Sequence, residues 1–293
     1  MKSRTFFSCF VSFLVCAFFK KYSEDAKKKG GDMMAFLSMS MYSEILQMDT
    51  GVNVLLPENR KGKMDEYHPD KRYPILYCLH GHGDDQSAWI RKSNIENIAR
   101  NYEVIVVMPT VQRGWYSDGI YDYFSYICQE LPIKMANFFP ISDKREDTYI
   151  MGNSMGGYGA LKAALTYPEK YAAAAALSPA LPQTFYKYHN EFSRGIQIAV
   201  GDEERMERSK NDLLHLADLC TSDIRVFSFC GRQDWIAYEG FQLLDEHIKE
   251  RCKELNYRSF ESDGGHDWGF WNPAIQYCIE SFGFKKIGDV MDG

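Results

Sequence analysis

The chain has no CxxC pair and no regular cysteine spacing, so neither a zinc ribbon nor a dithiol redox centre is written into it. Its eight cysteines, Cys9, Cys16, Cys78, Cys128, Cys220, Cys230, Cys252 and Cys278, are scattered along the sequence. Cys78 and Cys230 fall inside apolar, strand-like runs, where a free thiol behaves as a small hydrophobe. That usage predicts a reducing compartment. Net positive charge is missing too. A formal charge of −6 removes the basic footprint of a nucleic-acid binder. There is no internal repeat and no low-complexity tract beyond the alanines at 172–176. Near the N-terminus, the mostly apolar run from Phe6 to Phe19 has 14 residues, too few for a comfortable membrane span.

That run sits in an unusual leader. Residues 1–33 carry a net charge of +4, which leaves −10 for the remainder. Lys2 and Arg4 precede the apolar stretch and Lys20-Lys21 follow it, as in a signal peptide. No small-x-small cleavage site follows, however. The alternative is a start at Met33 or Met34, with Lys29-Gly30-Gly31 encoded by a purine-rich ribosome-binding run. The protein is cytoplasmic if translation begins near Met34. It is secreted or membrane-anchored if residues 1–33 are made and used as a signal.

What remains, 34–293, is the length of one large α/β domain. Apolar and charged fractions of 45% and 25% are those of a globular protein, and 15% aromatics suit a deep core. Strands are predicted over 37–46 and 52–56, joined by a polar turn at Asp49-Thr50-Gly51. Others are predicted over 75–79, 104–108, 148–151, 171–177, 225–230 and 257–262. Helical spacing falls over 94–102, 121–138, 158–165, 241–255 and 274–284. Residues 181–222 are polar and the least regular, and read as an insertion or lid. Strands alternating with helices predict a mainly parallel sheet covered on both faces.

The most informative segment runs from Thr148 to Gly157. A short β-forming stretch leads into Gly152-Asn153-Ser154-Met155-Gly156, and a helix-forming stretch follows at once. This is the strand–turn–helix setting of a nucleophile elbow. The turn is so tight that the residues two before and two after the serine must be small, which Gly152 and Gly156 satisfy.

A serine hydroxyl needs a base, and the base needs an acid to fix its tautomer. His266 follows the last predicted strand in a loop opened by Gly264-Gly265. Asp234 stands just past the carboxyl end of another strand. Asp202, Asp212 and Asp263 compete for the acid role, but Asp263 is awkwardly close to His266 in sequence. The order Ser154, Asp234, His266 is that of α/β-hydrolases. Two backbone donors would form an oxyanion hole: the amide of Met155, and one from the loop His80-Gly81-His82-Gly83, with His82 the candidate. That loop also carries a rival reading. His80-x-His82-x-Asp84-Asp85 resembles the HxHxDH zinc motif of metallo-β-lactamase-like hydrolases, with Asp85 in place of the final histidine. The next histidine, His189, is far downstream, and a catalytic zinc site wants more ligands. No metal or organic cofactor is therefore implied. Trp115, Tyr116, Trp235 and Trp268 are candidates for a substrate pocket, or else for the core.

Several segments together carry a family resemblance. These are Ala35-Phe36-Leu37, Leu79-His80-Gly81, Gly114-Trp115-Tyr116, Gly152 to Tyr158, Cys230 to Trp235 and Gly265-His266-Asp267-Trp268. From about Met34 to Phe284 the chain resembles the esterase D-like branch of the α/β-hydrolases, most nearly the bacterial tributyrin esterases and the related feruloyl and acetyl esterases. The resemblance implies an α/β-hydrolase fold, a serine carboxylesterase with Ser154, Asp234 and His266 as triad, and a natural start near Met34. Gly83-Asp84 depart from the family's pattern after His-Gly-x, which leaves the second oxyanion donor open. The expected substrate is a short acyl ester. A feruloyl esterase, an S-formylglutathione hydrolase-like thioesterase, a non-catalytic binding module and a metal-dependent hydrolase are the alternatives. The expected partner is a small-molecule ester, not nucleic acid or a membrane-inserted state of the main domain; a homo-oligomer stays open.

Overall fold

The computed structural model describes residues 34–58, 70–188 and 190–286; the leader, with both readings of it, and His189 lie outside them. Eight strands form one sheet in the order β1-β2-β4-β3-β5-β6-β7-β8. They are β1 (Met34–Ser43), β2 (Met48–Pro57), β3 (Ile75–Leu79), β4 (Ile105–Pro109), β5 (Thr148–Asn153), β6 (Ala173–Leu177), β7 (Arg225–Gly231) and β8 (Asn256–Ser262). β2 runs antiparallel to β1 and β4, and all other pairs are parallel.

β3, β4 and β6 are apolar along their whole length because both faces are covered. In β3, Ile75, Tyr77 and Leu79 join one core while Leu76 and Cys78 join the other. Helices Met155–Thr166 and Tyr238–Arg251 contribute Leu161 and Leu244 to the first core, and Ile95–Ala99 and Trp268–Phe282 contribute Ile98 and Ile275 to the second. The alanines of β6 are wholly buried. The six cysteines among the described residues are unpaired and buried. No helix there is long and apolar enough to cross a membrane.

Three expectations need correction. The β1–β2 turn lies at Glu44–Gln47, not at Asp49–Gly51, which continue β2 opposite Tyr42 to Ser40. The turn is fixed from a distance: the Glu130 carboxylate accepts from the amides of Glu44 (2.8 Å) and Ile45 (3.3 Å), and Gln47 takes the left-handed conformation (φ 54°). Residues 181–222 are not irregular. They form helices Pro182–Tyr188, Asn190–Val200, Glu203–Met206 and Leu213–Leu219. The expected long helix over 121–138 starts at Tyr123 and passes through a π-helical turn, Tyr126–Glu130, before Leu131–Phe138.

Candidate active site

Ser154 follows β5 directly and occupies the N-cap position of the helix Met155–Thr166, with φ 55° and ψ −120°. An L-residue held there costs about 1–3 kcal/mol and persists only where its surroundings over-determine it. They do. The Ser154 amide donates to the Leu177 carbonyl (2.8 Å), and its own carbonyl accepts from Tyr158 and Ala180 (3.1 and 3.2 Å). The small flanking residues are obligatory. A Cβ on Gly152 would lie 2.2 Å from the Gly156 carbonyl oxygen, and one on Gly156 2.1 Å from that of Leu79.

His266 Nε2 is 2.8 Å from Ser154 Oγ, and its Nδ1 is 2.8 and 3.0 Å from the two carboxylate oxygens of Asp234. The carboxylate is 1% exposed. Its Oδ1 also accepts from the amides of Ile236 (3.1 Å) and Ala237 (2.9 Å). Burial alone would raise the Asp234 carboxyl; the hydrogen bond and charge of His266, with the Ser178 hydroxyl, outweigh burial and hold it below the ordinary value.

The loops bearing acid and base are laced together. Arg232 donates its amide to the Ser262 carbonyl (2.9 Å) and Gln233 to that of Gly264 (3.0 Å), while Gln233 Oε1 accepts from the Gly264 amide (2.7 Å). A Cβ on Gly231 would meet the Gly264 carbonyl oxygen at 2.2 Å, so these backbones pass at contact. The rival acids have other partners. Asp202 and Asp212 cap helices, accepting from Arg205 and Leu214 amides, and Asp263 pairs with Arg232.

The loop after β3 bends past the serine: a Cβ on Gly81 would stand 3.5 Å from Ser154 Cβ. His82 is the next residue of that loop, and Met155 opens the nucleophile helix. His80 is fully buried with both ring nitrogens engaged, Nδ1 on the Gly81 carbonyl (2.8 Å) and Nε2 on the Val111 amide (3.0 Å). Burial lowers the His80 pKa, which keeps the ring neutral. A ring so committed has no lone pair for a metal, and this removes the basis of the zinc reading. Elsewhere, Asp218, His247 and Cys252 bring ligand atoms within 4.8 Å of one another, but Arg251 already sits 3.7 Å from that carboxylate.

The four aromatic candidates separate. Trp115 and Tyr116 are 1% exposed, so they lie behind the site and present almost no surface to a ligand. The Trp115 ring packs on Tyr158 (5.9 Å) and Phe185 (5.6 Å), and the Tyr116 hydroxyl donates to the His80 carbonyl (2.9 Å). Trp268 stacks edge-on against Trp89 and Trp271. Trp235 is 68% exposed.

Sequence reasoning missed two residues. Trp271 sets its ring edge-to-face on His266 (centroids 5.0 Å, 83°). Its indole N–H donates to Ser178 Oγ (2.9 Å), leaving that hydroxyl's proton for Asp234. Ser178, just past β6 at φ 48°, carried a faint signal as a polar residue after a buried strand; Trp271 lay before the helix predicted over 274–284 and carried none, whereas the helix starts at Trp268.

Sheet order, strained turn and hydrogen-bonded Ser–His–Asp line define an α/β-hydrolase. The family described as "Putative esterase" matches residues 43–277, and the chain belongs to it. It is a carboxylic ester hydrolase. An acetyl esterase of Caldicellulosiruptor saccharolyticus is 29% identical over 87% of this chain and 100% of its own. Among solved structures, the fluorophosphonate-binding serine hydrolase F of Staphylococcus aureus superposes with a TM-score of 0.74 at 27% identity, covering 85% of this chain and 98% of its own. An S-formylglutathione hydrolase of the same organism gives 0.72 at 27% identity, with the same coverage.

Proposed function

We propose that this esterase hydrolyses short acyl esters through an acyl-enzyme on Ser154. The observation that carries the reading is the unbroken line Ser154 Oγ, His266, Asp234, with 2.8 Å contacts at both ends. Ser154 Oγ attacks the carbonyl carbon while His266 Nε2 takes its proton. Asp234, accepting from Nδ1–H, holds the tautomer and stabilises the imidazolium. The amides of Met155 and His82 bind the oxyanion, each worth about 3 kcal/mol of barrier. The tetrahedral intermediate collapses, and the alcohol leaves with the proton from His266. Water then gives its proton to the same nitrogen, attacks the acyl carbon and releases the acid with Ser154 restored.

The short-acyl preference is our reading of a site backed by the packed, buried rings of Trp115, Tyr158 and Phe185. The name of the Caldicellulosiruptor relative, an acetyl esterase, agrees with it. One observation favours a second reading. Arg113 is exposed and close enough to His82 to depress that imidazole's pKa, after burial, the larger cause. A cation near His82 suits an acidic thiol such as glutathione, and an S-formylglutathione hydrolase is among the similar structures.

p-Nitrophenyl esters from acetate to laurate, with methyl ferulate and S-formylglutathione alongside, separate these readings. kcat/KM is expected to peak at acetate or butyrate. A maximum at laurate or ferulate would contradict the short-acyl assignment, and a maximum at S-formylglutathione would replace it with the thioesterase.

A further inference from the structure

The nucleophile helix carries a lysine that the proposed chemistry does not use. Lys162 has no exposed surface. Its Nζ donates to the Tyr116 carbonyl (3.0 Å), Ser117 Oγ (3.0 Å) and Asn211 Oδ1 (2.7 Å), and lies 4.2 Å from the Phe124 ring centroid. An ammonium has three donors and no acceptor, so this arrangement uses it completely. The Ser117 hydroxyl is free to accept because it turns its proton to the Trp115 carbonyl (3.0 Å) or to Asn211 Oδ1 (3.2 Å). None of the three acceptors is charged. The nearby Asp118 carboxylate is occupied by Ser125 and Lys210. Burying a cation among neutral partners is costly, and burial pushes the Lys162 pKa down to about 7.

What Lys162 grips is strained and leads to the active site. Trp115 and Tyr116 are consecutive aromatic residues with φ 48° and 45°, a conformation that needs external support. Lys162 supplies it at the Tyr116 carbonyl. From the same residue, the Tyr116 hydroxyl donates to the carbonyl of His80, two residues before the proposed oxyanion donor, while the Trp115 ring lies 6.1 Å from that of His82. The third acceptor, Asn211, stands among the helices over residues 182–219. Its backbone carbonyl accepts from the Tyr158 hydroxyl (2.8 Å), and its side-chain Nδ2 donates to the Val200 carbonyl (3.0 Å).

We propose that Lys162 is a positioning residue: it pins the Trp115–Ser117 turn to the nucleophile helix and, through Tyr116, sets the loop that presents the second oxyanion donor. The inference rests on the serine-esterase reading above and extends it to a residue outside the triad. A mispositioned oxyanion donor should cost as much as a removed one, about 100-fold in kcat.

Lys162→Met keeps the length of the side chain and removes the charge. On p-nitrophenyl acetate, kcat should fall about 100-fold with KM changed less than about threefold. The inhibition constant of a boronic acid, which forms a tetrahedral adduct, should weaken by a similar factor. The number of serines titrated by a fluorophosphonate should stay at one per chain. Tyr116→Phe, which cuts the link to His80, should lower kcat about 10-fold on its own and add almost nothing in the Lys162→Met background. Ser117→Ala combined with Tyr116→Phe provides the same cycle should Lys162→Met not fold. An unchanged kcat, additive effects in the cycle, or a loss of kcat matched by an equal loss of titratable serine would overturn the proposal. If Ser154→Ala retained turnover, the serine-esterase reading itself would fall; the Lys162 results sink only the inference when Ser154 remains essential.

Discussion

Ser154→Ala is expected to lower kcat by about 10⁶-fold while leaving the fold intact. The alanine removes only the oxygen, and Ser154 makes its stabilising contacts through the backbone: an amide to Leu177 and a carbonyl to Tyr158 and Ala180. The strain at φ 55° remains, because alanine is no more tolerant of that conformation than serine. Residual turnover would come from the oxyanion amides acting on bound ester and solvent water. Steady-state kinetics on p-nitrophenyl acetate, with circular dichroism to verify folding, decide the outcome. A loss of less than about 100-fold would mean that another group performs the attack.

The second large effect belongs to Asp234→Asn, for which kcat should drop about 10⁴-fold with little change in stability. The substitution is close to isosteric, and an asparagine oxygen could still accept from the amides of Ile236 and Ala237. Its amide group, however, would turn N–H toward His266 Nδ1. The imidazole would then carry its proton on Nε2, facing Ser154, and could no longer act as a base. Asp263→Asn is the matched control, since that side chain is 85% exposed and pairs with Arg232; it should change kcat less than threefold or so. A larger effect at Asp263 than at Asp234 would reassign the acid.

Much of this arrangement could be read from the amino-acid order because its constraints are local. Gly152 and Gly156 are demanded by backbone contacts within a few residues of the turn or on the adjacent strand, and such contacts leave a fixed spacing. β3, β4 and β6 are apolar end to end for the same kind of reason: both faces are covered. What escaped the sequence depends on partners far away in the chain. The β1–β2 turn is set by Glu130, 86 residues from Glu44, so the turn-forming look of Asp49-Thr50-Gly51 was overridden. Ser178 and Trp271 meet across 93 residues and gain meaning only once His266 and Asp234 stand between them. Residues 181–222 looked irregular because their polar residues include helix caps. Asp202 and Asp212, weighed as acids, begin two of those helices. Trp115 and Tyr116, candidates for either pocket or core, are buried and contact the loop that carries His80 and His82.

The central claim is that the esterase acts through a covalent bond to one serine. A fluorophosphonate probe, followed by proteolysis and mass spectrometry of the full chain, tests it most directly. The account predicts a single adduct per chain on the peptide that contains Ser154, formed in step with loss of esterase activity and missing from Ser154→Ala. Inactivation with the adduct on any other residue, or full activity after complete labelling of Ser154, would contradict it.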